Sequence, residues 1–191
     1  MRTLFDIDFL ADEALRGRLA AWSTALLAGG AAPIALLVAL GALPGVTEAD
    51  ALLGGGVAAW LAALIVVSLA ALPAHELIHG ALFRLMGGPG VRVSYGHAAG
   101  MLYAGCPGLV LARGRFVAVL LGPAAVLSAV LLAVPCALGF PLLGAIAAAL
   151  HLSSCAGDLL AAALALREPA CTHVRDTEHG VRLLAAPRGV G

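Results

Sequence analysis

The sequence has no lysine: all eleven of its basic residues are arginine, and eleven acidic residues balance them to a formal net charge of zero. The preference for arginine says nothing about chemistry, but the balance excludes a polyanionic or polycationic partner. There is no basic stripe on which a nucleic acid would sit. Charge of either sign is scarce, at 12% of residues against roughly a quarter in soluble domains. In its place 62% of residues are apolar and the mean hydropathy is +1.02, more apolar surface than a water-soluble fold can hide. The four cysteines, Cys106, Cys136, Cys155 and Cys171, include no Cys-x-x-Cys pair, which excludes a zinc knuckle and a dense disulfide scaffold and leaves the redox compartment unassigned. No internal repeat appears, so a solenoid is excluded.

What is present is a set of long uncharged runs. None of the residues between Arg18 and Glu48 is charged, and 19–43 is long enough to cross a ~30 Å hydrocarbon core as a helix. A second span is expected over 52–84. The uncharged stretch from Phe116 to Gly157 is about two spans long, with Gly139 and Pro141 marking its break, so spans three and four fall at 116–138 and 141–166. The first run follows Asp6, Asp8, Asp12 and Glu13 and is longer than the core of a cleavable signal peptide, so it reads as a retained span.

Every arginine falls before span one, between spans two and three, or after span four. The loop between spans one and two carries only Glu48 and Asp50. The positive-inside rule then places both termini in the cytoplasm and the chain in the cytoplasmic membrane. The expected fold is all-α: one membrane domain over 1–191 with four transmembrane helices, and a short β-hairpin or re-entrant loop between helices two and three. Val91, Val93 and Tyr95 alternate in that connection, and Gly96–Gly100 can turn.

The segment His75-Glu76-Leu77-Ile78-His79 lies in span two, where a helix puts the two imidazoles four residues apart on one face, close enough to share a metal. The bland reading is a chance match, with both rings satisfied by backbone carbonyls. Against it stands the cost of ionisable groups at membrane depth. Glu76 and Asp158 are the only carboxylates inside any expected span. Neutral imidazole suits zinc, which activates a water whose proton Glu76 can take.

A third ligand is needed, and Asp158 is the natural candidate. His75 precedes Arg84, and Asp158 precedes Arg167, by nine residues each, so both sit roughly 13 Å below an arginine anchor at 1.5 Å per residue. His151, Cys155 and Asp158 share an i, i+4, i+7 stripe of span four. His151 is a second-shell partner, an oxyanion donor or an alternative ligand. Cys155 reads as a small core residue, and Gly157 as a point of close helix approach. Pro73 permits a kink before the motif, and Gly122-Pro123 a bend or close packing in span three. His97, His173 and His179 lie outside the spans and read as solvated loop or tail residues.

These motifs resemble the zincin-peptidase family of bacterial integral membrane proteins, itself similar to the site-2 (intramembrane) metalloproteases. The resemblance runs from HELIH through Tyr95-Gly96-His97 and Leu121-Gly122-Pro123 to the HLSSCAGD of 151–158. It implies a metalloendopeptidase with one zinc per chain on His75 and His79, Glu76 as catalytic acid/base, and Asp158 at the position of the third ligand. The Gly-Asp order is reversed relative to site-2 proteases, and their Asn-x-x-Pro element is missing. The implied reaction is hydrolysis of a peptide bond in or near the membrane, the partners being a peptide or membrane-protein substrate and the lipid bilayer. The competing readings are a non-catalytic zinc-binding protein, a pseudoprotease serving as a partner module, and a small metal-transporter subunit.

Overall fold

The structure, a computed structural model, describes residues 1–9, 11–43, 56–98 and 101–186. In chain order its elements are β1 (Arg2–Asp8), α1 (Glu13–Ala39), α2 (Gly56–Gly87), β2 (Ser94–Ala98), β3 (Met101–Gly105), β4 (Val110–Ala112), α3 (Arg113–Ala137), α4 (Pro141–Ser154), α5 (Ala156–Arg167), β5 (His173–Asp176) and β6 (Gly180–Ala185). Three helices, α1, α2 and α3, are long and apolar enough to cross a membrane, and a fourth span results if α4 and α5 count as one bent span. Helices of this composition mark a membrane protein.

Local chemistry sets the element ends. Asp12 caps α1, its Oδ1 accepting the Leu15 N–H at 3.0 Å. Beyond α3 the chain turns through Gly139 at φ +87°, with Phe140 N–H bonded back to Pro135 O at 2.8 Å, and Pro141 opens α4. The break expected between Gly139 and Pro141 is therefore present. Pro73 lies inside α2 and Gly122-Pro123 inside α3, and both helices continue through them.

The expected span four is not one helix. It ends at Ser154 and restarts at Ala156, with the Cys155 N–H shared between the carbonyls of His151 and Leu152 at 3.2 Å each. The side chains explain the break. Ser153 Oγ donates to Leu150 O and Ser154 Oγ to His151 O, both at 2.7 Å, so hydroxyls compete with amides for the carbonyls of the last turn. The expected stripe of His151, Cys155 and Asp158 is thereby divided between two helices.

The all-α expectation is also corrected. The hairpin between α2 and α3 exists as the antiparallel pair β2–β3, with Tyr95 opposite Ala104 and Gly96 opposite Tyr103. A four-stranded antiparallel sheet of order β1-β6-β5-β4, which the sequence reading lacked, brings Arg2 opposite Ala185 and Val110 opposite Arg175. Its strands are only three to seven residues long, and β1 and β5 carry charge, so they read as helix flanks. His97 lies in β2, His173 in β5 and His179 in the β5–β6 turn, so two of the three are strand residues. The loop carrying Glu48 and Asp50, the start of the second expected span at 52–55, and Arg188 lie outside the described residues.

The chain divides into two compact units. The first comprises Met1–Ala20, His75–Pro123 and Gly157–Gly191, and so holds both sheets and the HELIH segment. Its core is built on Phe83, Phe116, Val174 and Leu183, with Phe83 and Phe116 edge to face at 6.0 Å between centroids. Gly122 lets α3 approach α2, since a Cβ there would lie 2.1 Å from Leu82 Cδ1. The second unit, Ala21–Ala74 with Ala124–Ala156, has helices and no strand among its described residues. There Trp60, Leu142 and Leu143 are buried among Ile34, Val67 and Phe140. A Cβ on Gly30 would meet that of Ala149 at 2.8 Å, so α1 and α4 pack through small residues.

Candidate metal centre

His75 and His79 are buried on α2, one turn apart, their rings edge to face with centroids 4.7 Å apart. Asp158, in the first turn of α5, reaches both. His75 Nε2 lies 3.1 Å from Asp158 Oδ2, and His79 Nε2 lies 3.3 Å from Oδ1. The two Nε2 atoms are 3.0 Å apart. The three side chains singled out from the sequence as ligands are thus brought together, with one ligand atom from each inside a 4.8 Å group.

The hydrogen bonding of His79 leaves a ligand atom turned toward the cluster. His79 Nδ1 lies 3.1 Å from the backbone oxygen of Val119 on α3. A carbonyl only accepts, so Nδ1 carries the proton and the Nε2 of the neutral ring presents a lone pair. That lone pair faces a second imidazole nitrogen and a carboxylate oxygen. Electron-rich atoms at 3.0–3.3 Å repel unless a proton or a metal ion lies between them. Tetrahedral zinc bonds of ~2.0–2.2 Å place neighbouring ligand atoms about 3.3 Å apart, close to the separations here. The Val119 carbonyl is the outer-shell acceptor that a metal-bound histidine ordinarily needs.

Glu76 is half-buried on the same helix, within electrostatic range of His75, His79 and Asp158, and the backbone N–H of Ala104 in β3 is directed at its carboxylate. Gly80, one turn further along that face, is met by Tyr95 of β2, so close that a Cβ at position 80 would fall 2.0 Å from the phenol oxygen. Tyr95 and Ala104 are cross-strand partners. The hairpin therefore packs on the stripe of α2 that carries Glu76 and Gly80. Three features were missed by the sequence reading: the Val119 carbonyl, the Ala104 amide and the Tyr95–Gly80 contact. The first two are backbone groups that leave no residue signal. The third could have been suspected from a glycine directly after His79.

His151 lies in the second unit, buried, with its Nδ1 2.8 Å from Ser128 Oγ and its Nε2 3.7 Å from Cys155 Sγ. Cys155 is fully buried, consistent with a small core residue. His97, His173 and His179 join no metal-capable group among the described residues.

Two buried imidazoles and a carboxylate, with a second carboxylate alongside, form a metal-capable group. A family model described as "Putative zincin peptidase" matches residues 68–173, more than half of the chain, and the chain belongs to that family. Membership implies a zinc-dependent peptidase. No curated protein and no solved structure matches.

Proposed function

We propose that the chain is an endopeptidase embedded in the cytoplasmic membrane, holding one zinc through His75, His79 and Asp158 and using Glu76 as general base, in the manner of the site-2 proteases it resembles. The observation that carries this reading is the convergence of two Nε2 atoms and a carboxylate at 3.0–3.3 Å inside an apolar helix bundle. Three protein ligands are the pattern of catalytic zinc sites, whereas structural sites use four. When bound there, zinc supplies Lewis acidity and lowers the pKa of a coordinated water.

The rest of the chemistry belongs to the protein. Glu76 accepts the water's proton on its carboxylate and returns it to the departing amine nitrogen as the peptide bond opens. The Ala104 N–H orients that carboxylate and limits its rotation. Val119 O fixes the His79 tautomer that leaves Nε2 free to ligate.

Substrate enters as an extended segment, because a helix shields the amide that must be attacked. The outer edge of β3, running past Glu76, suits strand addition by a peptide or an unwound membrane segment. Both termini are assigned to the cytoplasm. The arginine distribution supports this, and so does the pairing of β1 with β6, which requires both strands on one side of a bilayer.

The test is cleavage of a quenched-fluorescence peptide mixture by detergent-purified protein with and without Glu76→Gln. Zinc retained with cleavage abolished supports the reading. Zinc bound with no cleavage by either form would make the protein a zinc-binding module instead.

A further inference from the structure

Asp176 ends β5, beyond the segment that defines the family, and is buried to more than nine-tenths. Its carboxylate and both of its backbone polar groups engage the chain that follows β3. Its carboxylate Oδ2 accepts the N–H of Cys106, its backbone oxygen accepts the N–H of Gly108 at 2.9 Å, and its own N–H donates to Leu109 O at 2.9 Å. Residue 105 is a glycine where that carboxylate passes, since a Cβ there would stand 3.1 Å from Oδ2. Cys106 is two residues from Ala104, whose N–H is directed at Glu76.

A two-stranded ribbon such as β2–β3 is marginal alone and needs outside anchors. Tyr95 on Gly80 anchors β2, and Asp176 anchors the end of β3. We infer that Asp176 is a positioning residue for the metal centre: by holding Cys106 it fixes the register at which β3 presents the Ala104 amide to Glu76. The inference rests on the peptidase reading. Burial pushes Asp176 up to about 6, so the ionised side chain is held at a cost that an amide accepting the same hydrogen bond avoids.

The test uses the full chain, purified in detergent and zinc-loaded, as Asp176→Ala and Asp176→Asn. Zinc content, hydrogen exchange and cleavage of a quenched-fluorescence peptide mixture are measured. Asp176→Ala is expected to keep its zinc, to exchange the 102–106 amides roughly tenfold faster with 181–184 unchanged, and to lose about tenfold in kcat. Asp176→Asn, which retains the acceptor, is expected to match the wild type in all three.

Wild-type exchange in Asp176→Ala would overturn the inference, as would an Asp176→Asn as defective as the alanine variant. Faster exchange across 181–184 as well would reduce Asp176 to a general structural role and overturn it too. If Asp176→Ala does not fold, Asp176→Asn decides alone, and hairpin exchange or kcat displaced more than about threefold overturns the inference. A wild type that cleaves nothing defeats the peptidase reading, and the exchange measurement still judges the anchor.

Discussion

Gly80→Ala sets two effects of known sign against each other. In a helix interior alanine is favoured over glycine by about 1 kcal/mol, so on propensity alone the substitution stabilises α2. At this position the new Cβ would lie 2.0 Å from the Tyr95 oxygen, 2.8 Å from Cζ and 3.2 Å from Cε1. Three atoms of one rigid ring are involved, so a small torsion of the hydroxyl cannot relieve the clash. Restoring ordinary contact moves the ring by about 1.4 Å, and overpacking of this kind costs about 1–3 kcal/mol. The clash outweighs the propensity gain, for a net loss of about 1 kcal/mol and a fall of about 2–4 °C in melting temperature. Because the ring belongs to the hairpin that presents Ala104 to Glu76, peptide cleavage should fall further than stability, by about 100-fold per ångström of misplacement. Removing the ring tests the cause: in a double-mutant cycle of thermal melts, Gly80→Ala should couple to Tyr95→Ala by about 2 kcal/mol. A Gly80→Ala protein that melts at or above the wild-type temperature, or strict additivity with Tyr95→Ala, refutes the packing argument.

Two further outcomes follow from the first unit. Asp176 ionises near 6 when folded against an ordinary value of 3.8, so between those pH values the folded state holds a proton that the unfolded state has released. Folding stability must therefore fall as pH rises across this window, by up to about 3 kcal/mol, and level off above it. Asp176→Asn should lack this fall, so parallel melting-versus-pH curves for the two proteins from pH 4 to 7 would contradict the assignment. Gly180→Ala would place a Cβ 1.9 Å from the backbone oxygen of Ile7, which cannot swing aside as a side chain can. It should cost about 3 kcal/mol or more and free β1, seen as early proteolysis within residues 1–9, and a variant as protease-resistant as the wild type would deny the β1–β6 pairing.

The metal cluster was the most legible part of the molecule in the sequence because its signals are categorical. Two histidines at helical spacing and isolated carboxylates in apolar runs stand out wherever they occur, and His75, His79 and Asp158 do converge. Asp158 was located by its depth relative to Arg167, an argument that survives the break at Cys155 because the break lies on the far side of it from the anchor. The stripe of His151, Cys155 and Asp158 was drawn on one unbroken helix, whereas the chain breaks at Cys155 after two serines whose hydroxyls take the carbonyls of the last turn. The four-stranded sheet was illegible for a different reason. Its β1 pairs with β6 across almost the whole chain, and strands as short as Val110–Ala112 and His173–Asp176 hold too few residues for alternation to emerge. Arg2, Arg175 and Arg182, counted as membrane-flanking charge, are sheet residues, and Arg182 pairs with Asp6 across β1 and β6.

The central claim is that His75, His79 and Asp158 form one zinc site. Zinc content of the purified chain, measured by elemental analysis beside Asp158→Ala and Glu76→Gln, tests it most directly. About one zinc per chain is expected in the wild type and in Glu76→Gln, and a loss of at least tenfold in affinity in Asp158→Ala. Full zinc occupancy with wild-type affinity in Asp158→Ala would contradict it, because the metal would then be held without the carboxylate that the geometry places between the two imidazoles.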